Sequence, residues 1–389
     1  MYIKKPVLIV CAVVLAVAVA FLSVAAVNPF GFTHLGDFVK FAYVSRLVES
    51  QYYQDVDSGD YANTALEGVA AATGDPYTRY LWGDSAKAYM ESIDGNYMGI
   101  GIYIENNTEE NTIDVVSAIA GSPAEEAGLV TGDKILAVNG TAYSGEQMND
   151  AVNEMRGEEE TEVTVTVLRK SSGESEDIKL VRREIDIPNV SEKMITDDIG
   201  CITITQFTSG VSAKFASSYS KLLGEGMKRL VIDLRNNPGG LVEEAAAIAN
   251  MFIDDGNVIV YTMDKKGKRV DYPATGNAAD IPIAILANGG SASASEILTG
   301  ALKDYGKGYL IGEKTYGKGI VQSVYDLGED SLLSVTVARY YTPNGVCIHG
   351  EGIEPDETIK MDTEKYARLT ELPSEQDEQL QAAIKYLSK

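Results

Sequence analysis

Three short apolar runs in the second half of the chain restrict its fold more than any other feature: Ile199-Gly-Cys-Ile-Thr-Ile-Thr205, Arg229-Leu-Val-Ile-Asp-Leu234 and Ile281-Pro-Ile-Ala-Ile-Leu286. Each reads as a strand, and the segments between them, Ala213 to Leu223 and Val242 to Phe252, carry apolar residues at helical spacing. The pattern implies a layered sheet with helices on its faces, an α/β core. Two notable loops leave the ends of the second and third strands, Arg235-Asn-Asn-Pro-Gly-Gly240 and Asn288-Gly-Gly-Ser-Ala-Ser-Ala-Ser-Glu296. Strand-end loops are where such sheets carry chemistry.

The second loop opens a helix read from Ser293 to Tyr305. A serine there has its Oγ beside free backbone N–H groups and the positive end of the helix, where a developing oxyanion is stabilised. The plainer reading is a helix cap, for which Ser291, Ser293 and Ser295 are all ordinary residues. The choice turns on a base. Only two histidines are present. His34 precedes the body of the protein, and His349, in the strand-like Cys347-Ile-His-Gly-Glu-Gly-Ile-Glu-Pro-Asp356, reads as structural. A lysine serves instead if desolvation keeps it neutral, and Ser-Lys pairs are an established variant of the catalytic triad. Lys318, framed by Gly317 and Gly319 and followed by Ile320 and Val321, suits that role better than the nearby Lys314.

Composition removes other classes. With 33 Lys and Arg against 57 Asp and Glu, a net charge of −24, most of the surface repels nucleic acid, so no nucleic-acid partner is expected. Cys11, Cys201 and Cys347 form no CxxC pair and no disulfide framework, and neither metal nor cofactor is called for. Cys201 and Cys347 read as small buried residues, with a bridge between them as the alternative.

The N-terminus departs from the rest. Behind a stub of residues 1–6 containing Lys4 and Lys5, residues 7–27 run without a charge. That length spans roughly 30 Å of hydrocarbon as a helix. The two lysines favour a cytoplasmic N-terminus, which makes the chain single-pass at the cell membrane with its catalytic part extracytoplasmic. The alternative is a cleaved signal peptide with its site near Ser23 to Ala26, giving a secreted or periplasmic protein. Cys11 matches a lipidation box only loosely.

Residues 34–92 read as a helical region, with Phe38, Phe41, Val44 and Leu47 on one face, a second run from Tyr61 to Ala72, and a stop at Gly74-Asp75-Pro76. So short a region is expected to dock on later domains or on a second copy. Beyond it come Met98-Gly-Ile-Gly-Ile102, Ser122-Pro-Ala-Glu-Glu-Ala-Gly-Leu129 and Gly132-Asp-Lys-Ile-Leu-Ala-Val-Asn-Gly140. They give a strand, a helix with proline at its start and glycine at its stop, a second strand and an Asn-Gly turn. Here residues 93–183 resemble a PDZ domain. The resemblance implies that the loop of Met98, Gly99, Ile100, Gly101 and Ile102 receives the terminal carboxylate of a protein or peptide tail, which adds as a strand to the sheet edge.

Taken with the two loops, the chain resembles the C-terminal processing peptidases, the tail-specific proteases of serine peptidase family S41. The SASASE and GKGxVQ motifs and Arg339-Tyr-Tyr-Thr-Pro-Asn-Gly345 carry the likeness. It implies an α+β multidomain chain: transmembrane helix, helical region, PDZ domain, a crotonase-like (ClpP/crotonase-type) core over 184–366 and a C-terminal helix over 367–389. No wall-binding domain is expected after it. The nucleophile falls on Ser293, the base on Lys318 and an orienting glutamine on Gln322. The oxyanion hole falls on the backbone N–H groups of Ala294 and Gly239, with Gly240 adjacent. The likeness also implies a serine endopeptidase cutting near protein C-termini, gating by a tail or a regulatory partner's terminus in the PDZ groove, and a homo-oligomer. A trypsin-like protease with a PDZ domain needs a serine where this chain has Pro238. A non-catalytic PDZ scaffold leaves the matched serine, lysine and glutamine unexplained.

Overall fold

A computed structural model describes residues 35–55, 58–276, 278–362 and 372–389. The apolar run 7–27, Lys4, Lys5, Cys11 and His34 lie outside them. Among the described residues no helix is long and apolar enough to cross a membrane. The chain divides into two compact units, Met1–Ala72 and Thr73–Lys389.

The first unit contributes helices α1 (Leu35–Gln51) and α2 (Ser58–Ala71). The face read through Phe41, Val44 and Leu47 stays exposed.

In the second unit a turn at Gly74, with φ of 70°, ends the helical region as expected. The helical reading up to residue 92 is broken at β1 (Arg79–Trp82), which pairs antiparallel with the distant strand Ser331–Tyr341 before helix resumes at Asp84. Four residues acquire strand character from a remote partner, which local periodicity cannot report. Then come α3 (Asp84–Asp94), closed by left-handed Gly95, and β2 (Asn96–Gly99).

The PDZ-like region is a sheet of β3 (Ile102–Asn107), β4 (Thr112–Ala118), β5 (Lys134–Val138), β7 (Glu162–Leu168) and β8 (Ser175–Val181), with the short β6 (Thr141–Ala142) on β5. Helices α4 (Pro123–Glu126) and α5 (Met148–Met155) accompany it. Alternate residues of β7, Val163, Val165 and Val167, face the core with Ile113, Val115 and Ile135, the period-two pattern of a half-buried strand. The Asn139-Gly140 turn has φ of 49° and 80°, as an Asn-Gly connection requires. Both ends are clamped together, because β9 (Arg183–Asp186) pairs with β2.

The core is two sheets. The first runs β10 (Val190–Met194), β11 (Ile199–Ile204), β12 (Arg229–Asp233), β15 (Ile283–Ala287), β16 (Gly308–Gly312) and β19 (Glu357–Thr358), parallel except at β10. Its strands are apolar at consecutive positions because both faces are covered. Ile202, Ile232 and Ile285 share a cluster with residues of α6 (Val211–Gly224), α7 (Val242–Ala249) and α8 (Ala294–Asp304). On the other face Cys201, Val231 and Leu286 meet Leu380, Ala383 and Leu387 of α9 (Glu378–Leu387). The C-terminal helix, polar by composition, is thus a packing element. The second sheet is antiparallel, in the order β1, β18 (Ser331–Tyr341), β13 (Val258–Asp264), β14 (Arg269–Pro273), with β17 (Ile320–Gly328) also on β18. Fully buried side chains such as Phe207, Phe215 and Phe252 each contribute about 1.5–3 kcal/mol of apolar burial.

Cys201 and Cys347 are free thiols rather than a bridge, the first buried and the second half-buried. His349 lies in a turn rather than a strand, where Gly350 and Gly352 have φ of 79° and 68°.

Candidate active site

The loop between β15 and α8 is stitched to the loop after β12 by its own polar side chains. Asn288 Oδ1 accepts the N–H of Asn236 at 2.9 Å and that of Gly290 at 3.0 Å, and its amide donates to Asn236 Oδ1 at 2.8 Å. The hydroxyl of Ser291 donates to the Leu234 carbonyl at 2.7 Å, and that of Ser295 to the Asn237 carbonyl at 3.0 Å. Two of the three serines therefore hold the loops together.

Ser293 stands between them with φ 53° and ψ −112°. A capping serine has extended dihedrals. These dihedrals instead cost about 1–3 kcal/mol and persist only where the surroundings impose them. They belong to a sharp strand-to-helix turn that presents a side chain above a sheet. The residue is 8% exposed.

Beside it, Ala294 is fully buried at the start of α8, and its N–H takes no partner among the described residues. Gly239 packs so tightly that an added Cβ would lie 2.7 Å from both the Ser293 Cβ and the Ala292 carbonyl oxygen. Its N–H is engaged, donating to Asn237 Oδ1 at 2.9 Å. Before these glycines, Arg235 is clamped between Asp233 and Asp377, 2.6 and 2.8 Å from its Nη2. Burial works to lower the pKa of this guanidinium, but the two carboxylates outweigh it and hold the value raised.

The lysine's loop is joined to the serine's by one side chain. Glu296, fully buried in the first turn of α8, accepts the Ser293 N–H at 2.9 Å and the Lys318 N–H at 2.8 Å on Oε2. On Oε1 it accepts the Thr315 hydroxyl at 2.6 Å and the Gly317 N–H at 2.8 Å. From the other side the Tyr340 hydroxyl donates to the Ser293 carbonyl at 3.0 Å and lies against that of Lys318. Lys314 is paired at the surface with Glu354, 2.8 Å away.

The backbones of Ser293 and Lys318 thus meet, but the side chains are not joined: among the described residues no hydrogen bond links the Lys318 ammonium to the Ser293 hydroxyl. The ammonium lies over the ring of Tyr77, 4.5 Å from its centroid. Burial lowers its pKa and nearby Arg79 adds to that, with Asp75 opposing. Gln322 donates to the Thr336 hydroxyl at 3.2 Å, across the β17–β18 pair. Beside this pair opens a groove of about 650 Å³ lined by Thr78, Ile320, Thr336, Arg339 and His349 among others.

In the PDZ-like region Met98 and Gly99 lie in β2, paired with Glu184 and Arg183, Ile102 opens β3 opposite Ala118, and Ile100 and Gly101 join the two strands. Gly101 has φ of 76°, and its carbonyl accepts the Ser122 hydroxyl at 2.9 Å. The adjoining cleft of about 180 Å³ is lined by Tyr97, Ile102, Ile104, Val152, Met155 and Arg156.

Glu296, Tyr340, Tyr77 and Asp377 were not singled out from the sequence. Glu296 had a signal, an acid three residues after Ser293, but one that also reads as part of an ordinary cap.

A family model described as peptidase family S41 matches residues 198–359, and one described as a PDZ domain matches residues 115–169. The chain is 39% identical over 372 residues to a "Probable CtpA-like serine protease" of Staphylococcus aureus (strain COL), covering 94% of this chain and 73% of that protein. A protein of the same description from Staphylococcus epidermidis is 37% identical over 337 residues, covering 86% and 67%. The solved photosystem II D1 C-terminal processing protease is 30% identical, with a TM-score of 0.49, over 83% of this chain and 92% of that one.

Proposed function

This chain belongs to peptidase family S41, and from that premise we propose a serine endopeptidase in which Ser293 is the nucleophile and Lys318 the general base. The observation that carries the reading is the shared Glu296 oxygen, which holds the backbones of both residues together. The strained Ser293 dihedrals and the lowered pKa of Lys318 support it.

In the proposed reaction neutral Lys318 takes the Ser293 Oγ proton as the oxygen attacks a backbone carbonyl carbon. The carbonyl oxygen becomes an oxyanion received by the Ala294 N–H, at the positive end of α8. Gly239 is the second donor once Asn237 releases its N–H, with Gly240 next to it. The C–N bond then breaks, the departing amine takes the proton back from Lys318, and water hydrolyses the acyl-serine. Gln322 orients the lysine.

Substrates are protein or peptide tails, read at the PDZ cleft by the segment Met98, Gly99, Ile100, Gly101 and Ile102, with apolar lining for an apolar terminal residue. Occupation of that cleft gates cutting near the C-terminus. Residues 7–27 anchor the chain in the cell membrane with the peptidase on the outer side, and it works as a homo-oligomer. Mass spectrometry of the membrane and extracytoplasmic proteome, comparing the active chain with Ser293→Ala, is expected to find new C-termini only with the former. Identical termini in both would remove the reading. Deleting residues 93–183 is expected to change the rate and the choice of substrate, and an unchanged rate and choice would remove the gate.

A further inference from the structure

The ring beneath the Lys318 ammonium comes from a segment some 240 residues earlier, and the reaction as proposed gives it no part. At 4.5 Å from its centroid, Nζ lies where the negative face of the Tyr77 ring attracts a cation. Tyr77 is delivered by a built turn. The Asp75 carboxylate accepts the Tyr77 N–H at 3.1 Å and the Thr78 hydroxyl at 2.7 Å. Thr78 Oγ1 in turn accepts the Thr336 N–H at 3.1 Å, and Thr336 Oγ1 accepts from Gln322. The turn is thereby fastened to β18 and, through Thr336, to Gln322.

The charged and titratable groups around the ammonium come from two sides. From the turn, Asp75 favours the cation and Arg79 opposes it. From the lysine's own loop, Tyr316 places its hydroxyl beside that of Tyr77. Glu296 and Tyr340 meet the backbone of Lys318 rather than its ammonium.

We propose that Tyr77 is a positioning residue for the base: its ring face receives the ammonium formed when Lys318 takes a proton and holds it in place until the proton passes to the leaving amine. The proposal rests on Lys318 being the base. A neutral amine gains far less from the ring than an ammonium does, so the ring favours the protonated lysine and resists its loss of charge by burial. Since activity requires the neutral amine, the acid limb of the pH profile reports that balance.

The test is kcat/KM against pH for digestion of β-casein by the full-length chain in detergent, for the natural chain, Tyr77→Phe and Tyr77→Leu. Tyr77→Phe keeps the ring and is expected to keep the acid limb. Tyr77→Leu is expected to move the limb about half a pH unit to lower pH and to cut the plateau about tenfold. An unmoved limb in Tyr77→Leu overturns the proposal, as does an equal shift in both variants. If Tyr77→Leu does not fold, Tyr77→Trp replaces it: the limb should then hold or move to higher pH, and a move to lower pH overturns the proposal. Activity surviving in Lys318→Ala overturns this proposal and the assigned base together. A dead Lys318→Ala beside an unmoved Tyr77→Leu limb removes only the role of Tyr77.

Discussion

Ser293 and Lys318 give their backbone N–H groups to the same oxygen of one buried carboxylate, 2.9 and 2.8 Å from Glu296 Oε2. With Thr315 and Gly317 on the other oxygen, four donors converge on Glu296. The nucleophile's turn and the lysine's loop therefore keep their relative position through one side chain.

Glu296→Gln tests that device. The amide keeps one acceptor oxygen and turns N–H groups toward donors that the carboxylate had satisfied. Leaving buried donors unpaired costs about 1–3 kcal/mol each. The variant is expected to lose about 2–4 kcal/mol in urea unfolding and at least tenfold in kcat/KM. Natural stability with natural activity would contradict the account.

Gly239→Ala tests the close approach of the loops. A Cβ there meets the Ser293 Cβ and the Ala292 carbonyl oxygen, both at 2.7 Å, from a backbone with φ of 103°. Expected are a loss of about 2 kcal/mol or more and of most activity. Gly289→Ala is the control, since a Cβ there has nothing within 4 Å, and it should lie within about 0.5 kcal/mol of the natural chain.

Lys318→Met separates stability from activity. Burial first, then Arg79, lowers the pKa of Lys318 below the ordinary 10.5, against Asp75. Between the lowered folded value and 10.5 the unfolded chain binds the proton and the folded chain does not, so stability rises with pH in that window. It falls as the pH drops through the window, and the deficit is complete below the folded value. Lys318→Met is expected to remove this contribution and raise the melting temperature at neutral pH while abolishing peptidase activity. Equal melting temperatures for variant and natural chain from neutral pH to about pH 10 would count against a lysine kept neutral by its site.

Asp377→Ala opens the clamp on Arg235. Asp233 remains, but the buried guanidinium loses its second carboxylate, at an expected cost of about 2–4 kcal/mol in chemical unfolding. Because Arg235 leads into Asn236-Asn-Pro-Gly-Gly240, activity should fall as well. Deleting α9 should act in the same direction and further. An Asp377→Ala chain as stable as the natural one would show the clamp to be dispensable.

The parallel strands were legible because burial on both faces writes uninterrupted apolar runs, and the two loops because serine and glycine crowd where strands end. What escaped was set by distant partners. Asp377 bonds Arg235 across a separation of 142 residues, and Arg79–Trp82 is a strand only because Ser331–Ser334 lies beside it. Tyr77 and Glu296 escaped as well, since local sequence shows a side chain's neighbours along the chain and not across the fold.

The most direct measurement is the rate of β-casein cleavage by the purified full-length chain beside Ser293→Ala and Lys318→Ala. Each single substitution is predicted to lower the rate by at least about a thousandfold, with the folded state intact by circular dichroism. Cleavage at the natural rate by either variant would contradict the assignment of nucleophile and base.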